Sequence, residues 1–373
     1  MRKEIISSET EGKSKSVPKH IRLGFWALSL FILILVGLSA YQTLSKLRED
    51  RQNQEKFAFD FWNSGEDSVV FNSELTPMKE RLIDGILVEQ GKENRFPVAV
   101  MIENHVDARP QSGLSRASLV YEAPVEGGIT RFMAVYADYG MIEKIGPVRS
   151  ARPYYLDWVK EFDALYLHVG GSSEALEKIV SYEIEDLDQY YLSRFYWRDK
   201  ARNAPHNVYI SGELISRALR DQGLTERIGV FKPWKFGSDT EPRDLSEVPE
   251  DLVISFSTPD YEARWKYDPD SNAYLRFQAG KPHLDEEGRR ITAKNVVLMY
   301  TPIRVIDEEG RRKIKTIGSG KAVLFRAGEF FSGEWRKPTR GTRMRIYVND
   351  EEAVFLPGST WIEVVSETFD IRY

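Results

Sequence analysis

From Leu23 to Ser45 the chain runs 23 positions without a charge, and Phe25 to Val36 within it is apolar except for Ser29. A helix rises 1.5 Å per residue, so about 20 apolar residues span a hydrocarbon core. Nothing else in the 373 residues comes close to this length. The segment is therefore expected to be a single transmembrane anchor, and it decides where the rest of the chain works. A cleaved signal peptide carries a shorter apolar core, roughly 7–15 residues, so retention is the expectation. Lys13, Lys15, Lys19 and Arg22 precede the span with no acid after Glu11, whereas Lys46, Arg48 and Arg51 beyond it are diluted by Glu49, Asp50 and Glu55. That bias keeps residues 1–22 in the cytoplasm and carries the bulk of the chain outside the cell membrane.

Leu38-Ser39-Ala40-Tyr41 reads like a bacterial lipoprotein box with tyrosine at the lipidated position. With no cysteine anywhere in the chain, disulfides, a thiol nucleophile and cysteine-held metal are excluded. The fold must stand on its core alone. A hydrophobic content of 42% with 12% aromatics suits a globular body rather than a disordered one. The net charge of −5 speaks against a general nucleic-acid binder.

Residues 46–94 are charged and weakly periodic, and read as a juxtamembrane spacer. An α/β domain is expected over 95–230. Phe96 to Ile102 is a continuous apolar run of the kind found in a strand buried on both faces. Leu119 to Tyr121, Ile129 to Tyr136, Leu165 to Val169 and Val208 to Ile210 read as further strands. Pro153 opens a helix to Phe162, Ser172 or Ser173 caps a second, and Ser211 caps a third that runs to Gly223. Strands alternating with helices make an α/β domain with a mixed sheet. Pro233, Gly237, Pro242 and Pro249 mark a linker over 231–250. From 251 to 373 only short alternating runs separated by turn signals occur, which indicates an all-β module.

Polar residues of the α/β domain gather where strands end, the place at which open α/β sheets bind ligands. Glu103-Asn104-His105 follows the first strand, and His168 precedes Gly170-Gly171-Ser172. Arg109, Arg131, Arg149 and Arg152 offer guanidinium groups suited to a phosphate or carboxylate, with Ser172, His206 and Asn207 as further binding candidates. The alternative for these arginines is pairing with nearby acids as structural salt bridges. Glu122 and Glu126 flank Ala123-Pro124-Val125 and could serve as acid and base, with His105 and His168 in similar roles. His105, His168 and His206 with Glu103 or Glu122 could form a His/carboxylate site, but they match no recognised metal-site spacing, so neither a metal nor another cofactor is expected. No Gly-x-Ser-x-Gly elbow is present.

Several segments resemble the YerB family of bacterial envelope lipoproteins, a family of unknown function. They are Arg109-Pro110-Gln111-Ser112-Gly113, Val120-Tyr121-Glu122, Val125 to Arg131 and Gly146 to Arg152. His168 to Ser172, Ala204-Pro205-His206-Asn207 and Gly318 to Ala322 extend the likeness, which covers about Glu93 to Ser366. The resemblance implies a two-domain extracytoplasmic protein and supplies no activity. Two functions follow from the residues. The first is a membrane-anchored envelope protein that binds an anionic ligand, a cell-wall polymer or an envelope protein through its Arg/Glu/His residues. The alternative is a cell-wall hydrolase or transferase with Glu/His acid–base chemistry.

Overall fold

Six consecutive buried residues, Val98–Glu103, form strand β1. Successive side chains of a strand point to opposite faces, so an unbroken apolar run requires cover on both. The computed structural model describes residues 45–46, 77–238 and 250–373. The chain divides between Leu75 and Thr76, and the fold below is that of the unit Thr76–Tyr373. Apart from Ser45, the expected membrane segment over 23–45 lies outside the described residues. Among the described residues no helix is long and apolar enough to cross a membrane.

The same two-sided burial recurs in β2 (Leu119–Pro124), β3 (Thr130–Tyr136) and β4 (Leu165–His168); β5 (Asp186–Asp188) is short. Helix α1 (Pro153–Val159) starts at the expected proline, with Arg152 as its N-cap residue. Ser172 Oγ accepts the Ala175 amide to start α2 (Ser173–Ser181), and Ser211 Oγ accepts the Leu214 amide to start α3 (Gly212–Asp221). In each case the hydroxyl satisfies an amide that has no partner inside the helix.

The later part is β-rich, as its punctuation predicts. It holds β6 (Leu252–Ser255), β7 (Glu262–Asp268), β8 (Ala273–Gln278), β9 (Lys281–Pro282), β10 (Thr292–Ala293) and β11 (Asn295–Tyr300). Then follow β12 (Gly318–Arg326), β13 (Glu329–Lys337), β14 (Arg345–Val348), β15 (Glu351–Glu352), β16 (Thr360–Val365) and β17 (Asp370–Arg372).

This part does not close on itself. One eleven-stranded sheet runs in the order β15-β14-β13-β12-β11-β16-β2-β3-β1-β4-β5, drawing six strands from beyond residue 250 and five from before it. The junction is β16, parallel to β11 on one side and to β2 on the other, with Thr360 opposite Leu119 and Glu363 opposite Glu122. A second sheet, β9-β8-β7-β6-β17, holds the remaining strands together with β10. The expected all-β segment thus supplies both a separate sheet and half of a shared one.

Alternation assigns each covered face of the large sheet. Val100, Phe132, Val120 and Trp361 share one core with Trp265 and Ile254 of the second sheet and Ile215 of α3. Met101, Met133, Tyr121 and Ile362 share the other with Tyr155 and Trp158 of α1 and Ile179 of α2. Parts of the expected spacer and linker join the body as well. Ile83 and Asp84 are buried, and Trp234 stacks on Phe355 at 4.2 Å between ring centroids.

Candidate functional site

Past Val100, β1 and β4 part, and the segment Pro147–Ala151 enters between them. The Glu103 amide donates to Pro147 O (2.9 Å) and the Arg149 amide to Met101 O (2.9 Å) on one side. On the other, the Val169 amide donates to Arg149 O (3.1 Å) and the Ala151 amide to Gly170 O (2.9 Å). Two glycines permit this path. Gly146 has φ +144°, and a Cβ there would lie 2.8 Å from Val208 O; Gly170 turns with φ +54° and leaves no room for a side chain beside Tyr190. A wedge carrying Arg149, with Arg152 directly after it, is thereby fixed at the carboxyl ends of β1 and β4.

Glu103 and Arg131 are opposite one another on β1 and β3, so their side chains leave the same face. Glu103 is 4% exposed. It binds Arg149 Nε at 3.0 Å and His206 Nδ1 at 3.0 Å. Arg152 grips Glu126 through Nε (2.6 Å) and Nη2 (2.9 Å), a two-pronged pair. Burial opposes the charge on both partners, but this pairing still holds the Glu126 carboxyl below its ordinary value and raises Arg152. Arg131 differs. It is 7% exposed, its guanidinium donates from Nη1 to Ser150 O at 2.5 Å, and among the described residues no acid is paired to it. Burial first, then the guanidinium groups of Arg152 and Arg149, lower its pKa. A buried, unneutralised arginine between two paired ones is a place where an anion would be favoured. A cavity of about 190 Å³ reaches the Glu126–Arg152 pair, where it is also lined by Ser172, Asp307, Arg311 and Arg312; Arg131 itself does not line it.

On the opposite face of the sheet lies a sealed polar lock. Glu122, Glu363 and Arg276 are fully buried. Arg276 Nη2 donates to Glu122, and its Nε stands 4.0 Å from Glu363 Oε1, which accepts the Trp265 indole N–H at 2.8 Å. The Arg276 guanidinium also lies over the Trp361 and Phe132 rings, at 4.8 and 5.5 Å. Desolvation, and then the neighbouring Glu122, push the Glu363 carboxyl well above its ordinary range. Arginine offers no acceptor, so His283 Nδ1 accepts from Arg276 (2.7 Å) and Nε2 donates to Gln111 Oε1 (2.9 Å). Burial and the adjoining Arg276 depress the His283 pKa well below the usual value. Gln111 in turn donates to Glu103 O and Asn104 Oδ1, which ties the lock to the end of β1.

The arginines expected to bind thus divide. Arg131, Arg149 and Arg152 converge, and His206 joins them through Glu103. Arg109 lies apart, donating to Asn104 Oδ1 (3.1 Å) and Asn104 O (2.9 Å) and covering the Tyr261 ring. Ser172 caps α2 and lines the adjoining cavity. Asn207 donates to Asp199 O and Arg202 O and accepts from Arg198, holding its own loop together. Glu122 and Glu126 are not a facing pair: the first is locked with Arg276 and the second is clamped by Arg152 across the sheet. His168 is fully buried, with Nδ1 at 2.8 Å from Gly170 O and Nε2 at 3.0 Å from Asp186, and it closes the turn after β4. His105 stacks on His206, with ring centroids 4.7 Å apart. Sequence reasoning did not single out Arg276, His283 and Glu363, which sit among strand residues with no motif around them. Glu103 was legible as a polar residue at the end of the first buried strand, but not as the partner of Arg149 and His206.

Fold and site together define a class: a sheet protein whose two chain segments interlock strand by strand and whose strand ends carry an arginine-rich patch. Residues 84–225 match the family described as "Protein of unknown function (DUF3048) N-terminal domain", and residues 252–362 match its C-terminal counterpart. The chain is 33% identical over 291 residues to "Putative lipoprotein YerB" of Bacillus subtilis (strain 168), covering 76% of this chain and 86% of that protein. The crystal structure of the Bacillus subtilis YerB protein superposes with a TM-score of 0.70 at 30% identity, covering 79% of this chain and all of that one. The chain belongs to the YerB-like family.

Proposed function

We propose that this is a membrane-anchored extracytoplasmic protein that binds an anionic component of the cell envelope, a cell-wall polymer or an envelope protein, at the Arg131–Arg149–Arg152 patch. The observation that carries this reading is Arg131, buried and, among the described residues, without a carboxylate partner, while its two neighbours are paired. A phosphate or carboxylate reaching it would gain charge-assisted hydrogen bonds in a partly dehydrated setting. The relative named as a lipoprotein supports an envelope location. This sequence has no cysteine to carry a lipid, so attachment falls to the apolar segment at 23–45. An accessory role fits better than a catalytic one: of the acid–base candidates, Glu122 is sealed from solvent by Arg276 and the second sheet, His168 is fully buried, and Glu126 is paired with Arg152. Co-sedimentation of the full chain in detergent with purified cell walls tests the reading. Wall-bound protein that drops sharply in Arg131→Ala is expected; binding that is absent, or unchanged in that variant, would overturn it.

A further inference from the structure

A second cluster adjoins the arginine patch without being part of it. His105 and His206, 101 positions apart in sequence, lie with their rings stacked at 4.7 Å and 18° beyond the end of β1. Asp107 completes the group, and the three residues each present a ligand atom within 4.8 Å of the others. His206 gives Nδ1 to the buried Glu103 carboxylate at 3.0 Å, which turns Nε2 away from it. His105 Nδ1 accepts the Asp107 amide at 3.2 Å, so that nitrogen bears its lone pair rather than a hydrogen, and a metal would take that lone pair in exchange for the amide hydrogen bond. Asp107 Oδ2 lies 3.6 Å from the same nitrogen, close to the roughly 3.4 Å edge of a tetrahedron with bonds of about 2.0–2.2 Å.

We infer that His105 Nδ1, Asp107 Oδ2 and His206 Nε2 form a binding site for one divalent ion of the zinc class, with Glu103 as the carboxylate that orients His206. Two imidazoles and a carboxylate suit borderline metals rather than calcium or magnesium, which prefer all-oxygen shells. A carboxylate behind a ligating histidine fixes its ring and raises its basicity. Arg149 on the far side of Glu103 keeps that carboxylate buried and in place. Closure asks only for rotation of His105 and Asp107, which are 30% and 69% exposed at their side chains. Three protein ligands leave a fourth position open toward solvent, the arrangement of sites that take up an exogenous donor.

The test is calorimetric titration of the chelator-treated full chain in detergent with zinc chloride, alongside thermal melts with and without the metal. Saturable binding of one equivalent with a raised melting temperature is expected. His105→Ala and Asp107→Asn replace partly exposed side chains and leave the core intact, so both should fold like wild type. Each should weaken binding at least tenfold and abolish the melting shift. Glu103→Gln, which touches the metal only through His206, should weaken it by about 10–100-fold. No saturable binding, or binding that His105→Ala and Asp107→Asn leave unchanged, would overturn the inference.

Discussion

At the scale of single residues, the most demanding arrangement is two fully buried carboxylates facing one buried arginine. Arg276 holds Glu122 as its ion partner, and Glu363 stands 4.0 Å off with its carboxyl pushed up by burial and by Glu122. A glutamine at 363 can still accept the Trp265 indole hydrogen, so Glu363→Gln should cost little at neutral pH. In Glu122→Gln, Glu363 is free to ionise and take over Arg276. Removing both leaves a buried cation unpaired, a loss of about 3–5 kcal/mol. Denaturant unfolding of the two single variants and the double should therefore show a double-variant loss well beyond the sum of the singles. Additive losses would contradict a shared partner.

The same residues set a pH profile. Glu363 has a raised pKa in the folded state, so the unfolded chain releases its proton first. Stability is whole below the ordinary carboxyl pKa of 4.5 and falls as pH rises above it, by about 1.4 kcal/mol per unit at most, until the folded group ionises. His283 is depressed in the folded state, so its contribution is whole above the ordinary 6.5 and is lost as pH falls below it. From 4.5 to 6.5 the two slopes oppose, and above 6.5 only the first remains. Melting temperatures of Glu363→Gln should therefore fall less than those of wild type as pH rises above 6.5. Parallel curves would show that Glu363 does not carry the loss.

At the scale of elements, strand β16 joins what the chain order separates. Its residues alternate between two cores: Trp361 lies 5.4 Å from the Phe132 ring and 5.2 Å from the Trp265 ring on one face, and Ile362 and Val364 lie in the other. Trp361→Ala should destabilise by about 3–5 kcal/mol, as for a fully buried aromatic, read as a fall in the denaturant midpoint. Strand positions were largely legible in sequence. Leu165 to Val169 was expected as a strand and Leu165–His168 forms one, because an apolar run and its flanking turns are local signals. Partner choice was not legible. Whether β16 pairs within its own segment or beside β2 depends on which faces find cover, and that is a property of the whole chain rather than of six residues. For the same reason Arg131, Arg149 and Arg152 could be nominated as a group from their motif, while Arg276 and Glu363, which come together only across the two sheets, could not.

At the scale of the molecule, the interlocked sheet makes the two segments interdependent. Residues 77–238 expressed alone would leave β2 without its neighbour β16, an edge lined by Tyr121 and Glu122. That fragment and residues 250–373 should each show poor amide protection alone and regain it on mixing, read by hydrogen exchange. Native-like protection in either fragment by itself would contradict this. The interdependence bears on function, because the arginine patch is built on β1 and β3, whose opposite face rests on the second sheet. Through Gln111 the buried lock reaches the backbone of Glu103, the residue that holds both Arg149 and His206.

The central claim is that Arg131 receives an anionic group from the envelope. The most direct measurement is calorimetric titration of the full chain in detergent with a purified phosphate-bearing wall polymer, comparing wild type with Arg131→Ala. A hydrogen bond to a charged group contributes about 1.5–3 kcal/mol, so the account predicts saturable binding that weakens about tenfold or more in the variant. Equal affinity for the two proteins would contradict it.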